Sequence, residues 1–226
     1  MIQAIGSLIA PAEAAKRLGV TPRRVYALVR DGRLRAQRIG GRLVIDPRDV
    51  DHREAMGSDA GRPFSSRRAW ALILLADGFE PTVDASTKSK LRRLLRERDL
   101  WSIRSRLVER AERLDLRAHS SDVARIAAAS DLIRTGARCA AEAGFDLIAP
   151  DAPLDGYVGR ATADRLISGF RLSSSPNPNV ILRVVPDEVR AWLPGPLAPR
   201  PAIALDLAED MDPRAQEAAH SALARP

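Results

Sequence analysis

Cysteine is almost absent from the sequence, which contains only Cys139 and therefore cannot form an internal disulfide. A small fold held together by disulfides is excluded, and a reducing cytoplasm fits this composition. Cys139 lies in an alanine-rich stretch, which predicts a small buried residue. Aromatic residues are also scarce, at 4% of the chain. Leu, Ala, Val and Ile must therefore form most of the hydrophobic core.

Long apolar runs are missing as well. No stretch approaches the about 20 residues that a membrane-spanning helix needs. Residues 2–10 are too short for a signal peptide, and charged helical sequence follows them directly. We therefore predict a cytoplasmic protein with no membrane partner.

Catalytic motifs are not recognisable either. The sequence has no nucleophile elbow, no phosphate-binding glycine loop and no His-Glu-x-x-His, and its three histidines are far apart. We expect no enzyme activity, no cofactor and no metal site, although a nucleic-acid-modifying enzyme stays open as an alternative. Four carboxylates cluster near the C-terminus and could bind a divalent cation: Asp206, Glu209, Asp210 and Asp212. We expect instead that Asp212 caps the last helix and that the others are solvated or face a basic partner.

Positive charge is what the sequence has in excess, with a formal net charge of +7. Residues 1–118 hold 25 Lys and Arg against 15 Asp and Glu, whereas residues 119–226 hold 11 against 14. A basic first part and a mildly acidic second part indicate a nucleic acid as the partner of the first part.

Residues 1–54 carry the pattern of a winged helix-turn-helix. Apolar spacing predicts helices over residues 11–18 and 22–31, and Thr21-Pro22 is a typical helix start. Two short strands follow, over residues 35–39 and 42–45, and Gly40-Gly41 between them suits a tight hairpin. A third helix is predicted from Asp46-Pro47.

The second helix is the predicted recognition helix. Burying Val25, Leu28 and Val29 leaves Arg23 and Arg24 exposed in its first turn, where arginine can donate two hydrogen bonds to guanine in the major groove. The other predicted DNA contacts of this domain, to phosphates or base edges, are Thr21, Tyr26, Arg30, Arg35, Arg38 and Arg42. The hairpin arginines among them are expected to fix the register on the sugar-phosphate backbone.

These residues resemble a known module. AEAAKRLGVT over residues 12–21, followed by DGRL over 31–34 and RIGGR over 38–42, resembles the excisionase-type, MerR-like winged helix. The resemblance implies binding to double-stranded DNA. The long dimerisation helix and the metal-binding cysteines of sensory MerR regulators are not found.

The remainder of the chain is predicted to be a linker over residues 55–66, a basic helical region over 67–118 and a small mixed α/β domain over 119–226. The class is therefore α+β. A buried helix is expected over residues 69–76, and a helix over 87–98 carries the further candidate DNA contacts Lys88, Lys90, Arg92 and Arg93. Arg62, in Gly61-Arg62-Pro63, is a candidate for insertion into the minor groove. Within 119–226, helices are expected over residues 121–129, 137–143, 162–170 and 213–223, and strands over 154–158, 180–185 and 203–207.

A second resemblance is carried by six short segments: residues 61–65, 117–119, 157–158, 179–186, 204–207 and 212–215. Together these segments resemble actinobacterial AbiEi-type antitoxins. This resemblance implies an autorepressing regulator whose second half restrains a toxin of the nucleotidyltransferase type, and we expect the regulator to be a homodimer. An excisionase-like accessory protein that bends DNA is the alternative. The length of chain after the winged helix favours the regulator.

Overall fold

The protein consists of two compact units, Met1–Ala60 and Gly61–Pro226, which we call the N-terminal unit and the C-terminal unit. The computed structural model describes residues 8–30, 34, 36–45, 47, 50, 51, 53, 62–193 and 195–224. Each unit has its own hydrophobic core, so each is described by itself.

The N-terminal unit begins with two short helices, α1 (Pro11–Arg17) and α2 (Pro22–Arg30). A hairpin of β1 (Ala36–Ile39) and β2 (Arg42–Ile45) follows. Gly40 and Gly41 join its strands with φ values of 56° and 78°, a backbone conformation that favours glycine at both positions of the turn. Pro47, Val50, Asp51 and Arg53 are helical. The predicted order of helix, turn, helix, hairpin and helix is confirmed for the described residues; Asp46 lies outside them.

The core of the N-terminal unit joins all of these elements. Ala14, Ala15, Val25, Leu28, Leu34, Ile45 and Val50 are buried. Val29, which was expected inside, is only half-buried. Outside the core, Arg17 of α1 pairs with Asp51 of the helical segment that follows the hairpin. This pairing ties α1 to the end of the domain.

The C-terminal unit is built on a five-stranded mixed sheet in the order β4-β5-β7-β3-β6. Its strands are β3 (Glu112–Arg117), β4 (Ile133–Thr135), β5 (Leu154–Gly159), β6 (Ser173–Ser174) and β7 (Val180–Val185). β5 and β7 are parallel and buried along their whole length, while the other pairs are antiparallel. Strands that are buried along their whole length occur where a sheet is covered on both faces.

Helices complete the C-terminal unit. They are α3 (Ser66–Ala76), α4 (Ala85–Glu97), α5 (Val123–Ala127), α6 (Arg160–Gly169), α7 (Asp187–Arg190), α8 (Arg200–Leu207) and α9 (Pro213–Leu223). Short 3-10 helices cover Arg104–Arg110, Ser120–Asp122 and Ala137–Cys139. Asp212 caps α9 as predicted, since its carboxylate accepts a hydrogen bond from the Arg214 backbone N–H at 2.9 Å.

The predicted boundary between residues 118 and 119 is wrong. β3, from the supposed helical region, pairs with β7 over five residues in the centre of the sheet. The predicted linker also ends too late, because Phe64 is buried and α3 begins at Ser66. The charge contrast does not follow the observed units either. Residues 1–60 hold 11 Lys and Arg against 7 Asp and Glu, and residues 61–226 hold 25 against 22.

Strands β3, β4 and β6 were not predicted, and two of the predicted elements of the C-terminal unit differ from the observed ones. Residues 203–207, predicted as a strand, belong to α8, where Ala202 to Leu207 are all buried. A short apolar run cannot distinguish a strand from a fully buried helix, and Pro201 in the first turn is the helix signal that was missed. The predicted helix over residues 137–143 is only a 3-10 helix over Ala137–Cys139. Cys139 itself is buried as predicted, and burial raises the pKa of its thiol to about 12.

A buried network of charges lies beneath the sheet. Arg183 binds both carboxylate oxygens of Asp155 at 2.9 Å and a carboxylate oxygen of Glu209 at 2.6 Å. Arg110 pairs with Asp206 at 2.5 Å and also with Glu209. Of the two alternatives expected for Asp206 and Glu209, solvation is wrong, since they are 3% and 5% exposed, and the basic groups that they face are arginines of the same chain.

Aromatic and hydroxyl groups complete this network. Burial raises the pKa of the Tyr157 phenol, which stays protonated and donates to Asp206 at 2.8 Å. The Tyr157 oxygen also accepts a hydrogen bond from Arg110 Nε at 3.1 Å. Trp70 packs edge-on against the Tyr157 ring, with 4.8 Å between the ring centroids. Each charge is thus paired inside a well-packed core, which is what buried charges require.

Candidate nucleic-acid interface

The start of α2 is set by Thr21 and Pro22. The backbone N–H of Arg24 donates to Thr21 Oγ1 at 3.3 Å, so Thr21 caps the helix, and Pro22 occupies a position where no N–H is needed. The first turn contains no acidic residue. The positive end of the helix dipole therefore favours an approaching phosphate.

The exposed face of α2 carries the predicted recognition residues. Val25 and Leu28 are buried, whereas Arg23, Arg24 and Arg30 are exposed. Arg23 and Arg30 are separated by about two turns at 3.6 residues per turn, so they share the face opposite the core. Ala27 lies between them on that face, and its small side chain leaves room for close approach. Tyr26 borders this face and is 53% exposed.

The hairpin presents Arg38 and Arg42, both exposed. Arg38 Nη1 donates to the Gly41 carbonyl at 3.3 Å, which holds its side chain near the turn. Register places Arg38 opposite Leu43, and Arg42 opposite Ile39. Since neighbouring residues of a strand point to opposite faces, the two arginines lie on opposite faces of the hairpin. Both arginines can therefore contact phosphates only if the hairpin approaches the DNA with its edge and not with one of its faces. Arg35 lies outside the described residues.

The surface of helix α4 carries less unpaired positive charge than predicted. Glu80, from the loop before the helix, accepts from Lys88 at 2.8 Å and also pairs with Arg92. Hydrogen bonding from Lys88, helped by the charge of Arg92, lowers the pKa of Glu80. Arg93 lies 3.6 Å from Glu97. Lys90 is exposed, so it and the 70% exposed side chain of Arg93 form the part of this face directed to solvent.

The sequence analysis missed Glu80 because it considered only the basic residues of the helix itself. A signal was present in the sequence, since Glu80 lies only four residues before Asp84, which caps α4. Arg62, the remaining predicted contact, is exposed, and its carbonyl accepts from Arg106 Nε at 3.4 Å. Gly61 lies outside the described residues.

The geometry of residues 10–53 agrees with a comparison to known families. These residues match the family model described as a helix-turn-helix domain. The chain carries a helix-turn-helix DNA-binding domain. The match covers about a fifth of the chain, and it includes all of α1, α2, β1 and β2. Neither the curated proteins nor the solved structures gave a significant match.

The described part of the chain contains no group of three or more His, Cys, Asp or Glu side chains arranged to hold a metal ion. The carboxylate cluster considered as a cation site is divided, with Asp206 and Glu209 in the buried network and Asp212 at the start of α9. No described helix is both long and apolar enough to cross a bilayer.

Proposed function

We propose that the protein is a sequence-specific transcriptional regulator that reads double-stranded DNA with α2. The observation that carries this proposal is the exposed face of α2, where Arg23 and Arg24 occupy an acid-free first turn capped by Thr21. In the major groove, each arginine can donate to guanine O6 and N7. Thr21, Tyr26 and Arg30 would contact phosphates and fix the depth of the helix.

The experiment is a selection from a pool of randomised duplexes with the full chain. The proposal predicts enrichment of a short motif that contains guanine. A regulator bound as a homodimer would enrich two half-sites in inverted orientation. A pool that stays random after repeated rounds, while the protein remains folded, would contradict the proposal.

The hairpin arginines should act differently from those of α2. We expect Arg38→Ala or Arg42→Ala to weaken binding to specific and random duplexes by the same factor. Each loss of one phosphate contact should flatten the slope of log K against log salt by about 0.9. Fluorescence anisotropy titrations over a salt series measure this, with Gln37→Ala in the same hairpin as the control. A change confined to the specific duplex would assign a base contact to the hairpin instead.

We also propose that α4 supplies an additional phosphate contact. Replacing Lys90 and Arg93 by glutamine in the full chain is then expected to flatten the salt slope by up to about 1.8 for two contacts. Glu80→Gln should have the opposite effect, because it releases Lys88 and Arg92 from their carboxylate partner. If neither change alters the slope, the basic face of α4 is a solvated surface. A truncation after residue 118 is unsuitable for this test, because it would remove β6 and β7, the strands that pair with β3.

The role proposed for the C-terminal unit is protein binding, either to a second copy of the chain or to a toxin, as the AbiEi resemblance implies. Its size supports this, since a compact unit of residues 61–226 is far more than a DNA-bending excisionase requires. Co-expression with the product of the neighbouring gene and light scattering of the purified protein test the idea. A monomer that leaves the neighbouring product unbound would contradict it.

A further inference from the structure

Two arginines stack on one aromatic ring at the start of the C-terminal unit. The guanidinium carbon of Arg106 lies 4.2 Å from the centre of the Phe64 ring, and that of Arg68 lies 4.9 Å from it. The two charges are therefore no more than about 9 Å apart, since both are measured from one centroid. Phe64 is 3% exposed and its N–H donates to the Arg106 carbonyl at 2.9 Å. The Phe64 ring on which both arginines stack is thus held in place by the core.

Other stacked arginines of this unit differ in their partners: some also pair with a carboxylate, whereas Arg200 lies over the Phe145 ring and forms no ion pair with a carboxylate of the described residues. Arg67 stacks on Trp192 and pairs with Glu188, and Arg125 stacks on Phe170 and pairs with Asp122 at 3.0 Å. Among the described residues, by contrast, no carboxylate forms an ion pair with Arg68 or Arg106. Arg68 is exposed and Arg106 is partly exposed. An approaching phosphate therefore meets two guanidinium groups that no carboxylate of the described residues neutralises, and it can accept charge-assisted hydrogen bonds from them.

We propose that Arg68 and Arg106, stacked on Phe64, form a phosphate clamp that binds the backbone of the duplex held by the helix-turn-helix domain. The inference rests on the proposed function and adds a second, sequence-independent anchor to it. Stacking holds the guanidinium groups in place, so little side-chain entropy is lost when they bind. The Arg106 hydrogen bond to the Arg62 carbonyl orders the chain that enters the unit. Since that chain is covalently joined to the DNA-reading domain, binding by the clamp is intramolecular once the domain is bound.

The test is the double substitution Arg68→Gln and Arg106→Gln in the full chain, with Arg125→Gln as the matched control. Glutamine keeps an aliphatic stem over the ring while removing the charge. Affinity for a random duplex is measured over a series of salt concentrations. Loss of two phosphate contacts is expected to flatten the slope of log K against log salt by about 1.8, which corresponds to roughly 60-fold weaker binding at 0.1 M salt. The control should leave the slope unchanged.

An unchanged slope in the double variant, with an unchanged melting temperature, would overturn the clamp. If the double variant melts earlier, Arg68→Lys with Arg106→Lys supplies the second comparison, because lysine keeps the charges and should restore the slope. A lysine variant that leaves the slope flat would also overturn it. Failure of the clamp is distinguishable from failure of the proposed function: in the first case the chain still selects a DNA motif through α2, and in the second it selects none.

Discussion

Replacing Arg183 by methionine is expected to lower the free energy of unfolding of the C-terminal unit by about 3–5 kcal/mol, which is more than any substitution on its surface should cost. Arg183 is 3% exposed and lies in the centre of β7, where it pairs with Asp155, Asp206 and Glu209. Methionine approximates its volume but leaves three buried carboxylates with too few positive partners. Their charges must then be desolvated without compensation, which is the expensive outcome for a broken buried ion pair.

Urea unfolding of the full chain, followed by tryptophan fluorescence, measures this loss. The method is specific because Trp70, Trp101 and Trp192 all lie in the C-terminal unit. Arg134→Met is the matched control: Arg134 pairs with Glu142 at 2.6 Å, but their side chains are 31% and 51% exposed. Exposed pairs contribute at most about 1 kcal/mol. Equal and small effects of the two substitutions would mean that the buried network adds nothing to stability.

The second large effect is expected in DNA binding. Arg23→Ala and Arg24→Ala should each weaken binding to the selected duplex by about 1–3 kcal/mol, and the double variant by up to about 6 kcal/mol. Binding to random DNA should barely change, because base contacts contribute little there. Val25 and Leu28 fix the helix from its other side, so the substitutions should leave the fold intact.

Lys16→Ala is the control for the α2 substitutions. Lys16 is also an exposed cation of the N-terminal unit, but it lies on α1. Electrophoretic mobility shifts with the selected duplex and with a shuffled duplex compare these four variants with the wild type. Equal losses on both duplexes would show that Arg23 and Arg24 bind phosphates only, and unchanged affinity would remove the recognition-helix assignment.

The N-terminal unit could be predicted from sequence because local signals determine its elements. Thr21-Pro22 starts α2, Gly40-Gly41 forms the hairpin turn, and the apolar spacing of Val25 and Leu28 identifies the buried face. Each signal acts within a few residues of the structure that it determines. The exposed arginines then follow by elimination from the buried ones.

The C-terminal unit was harder to predict because distant residues determine it. β3 lacks a long apolar run, and it is a strand because β7, more than 60 residues later, pairs with it. Arg110 and Asp206 are separated by 96 residues but form one ion pair. No local pattern distinguishes such a buried pair from two solvated charges. A division of the chain by charge therefore placed a boundary inside a single unit.

The most direct test of DNA reading by α2 is to repeat the selection from random duplexes with the Arg23→Ala protein. If Arg23 grips a guanine, the new motif should match the wild-type motif at every position except one or two guanines, which become degenerate. The remaining positions should persist because Arg24, Tyr26 and the hairpin are unchanged. A motif identical to that of the wild type, guanines included, would contradict the account.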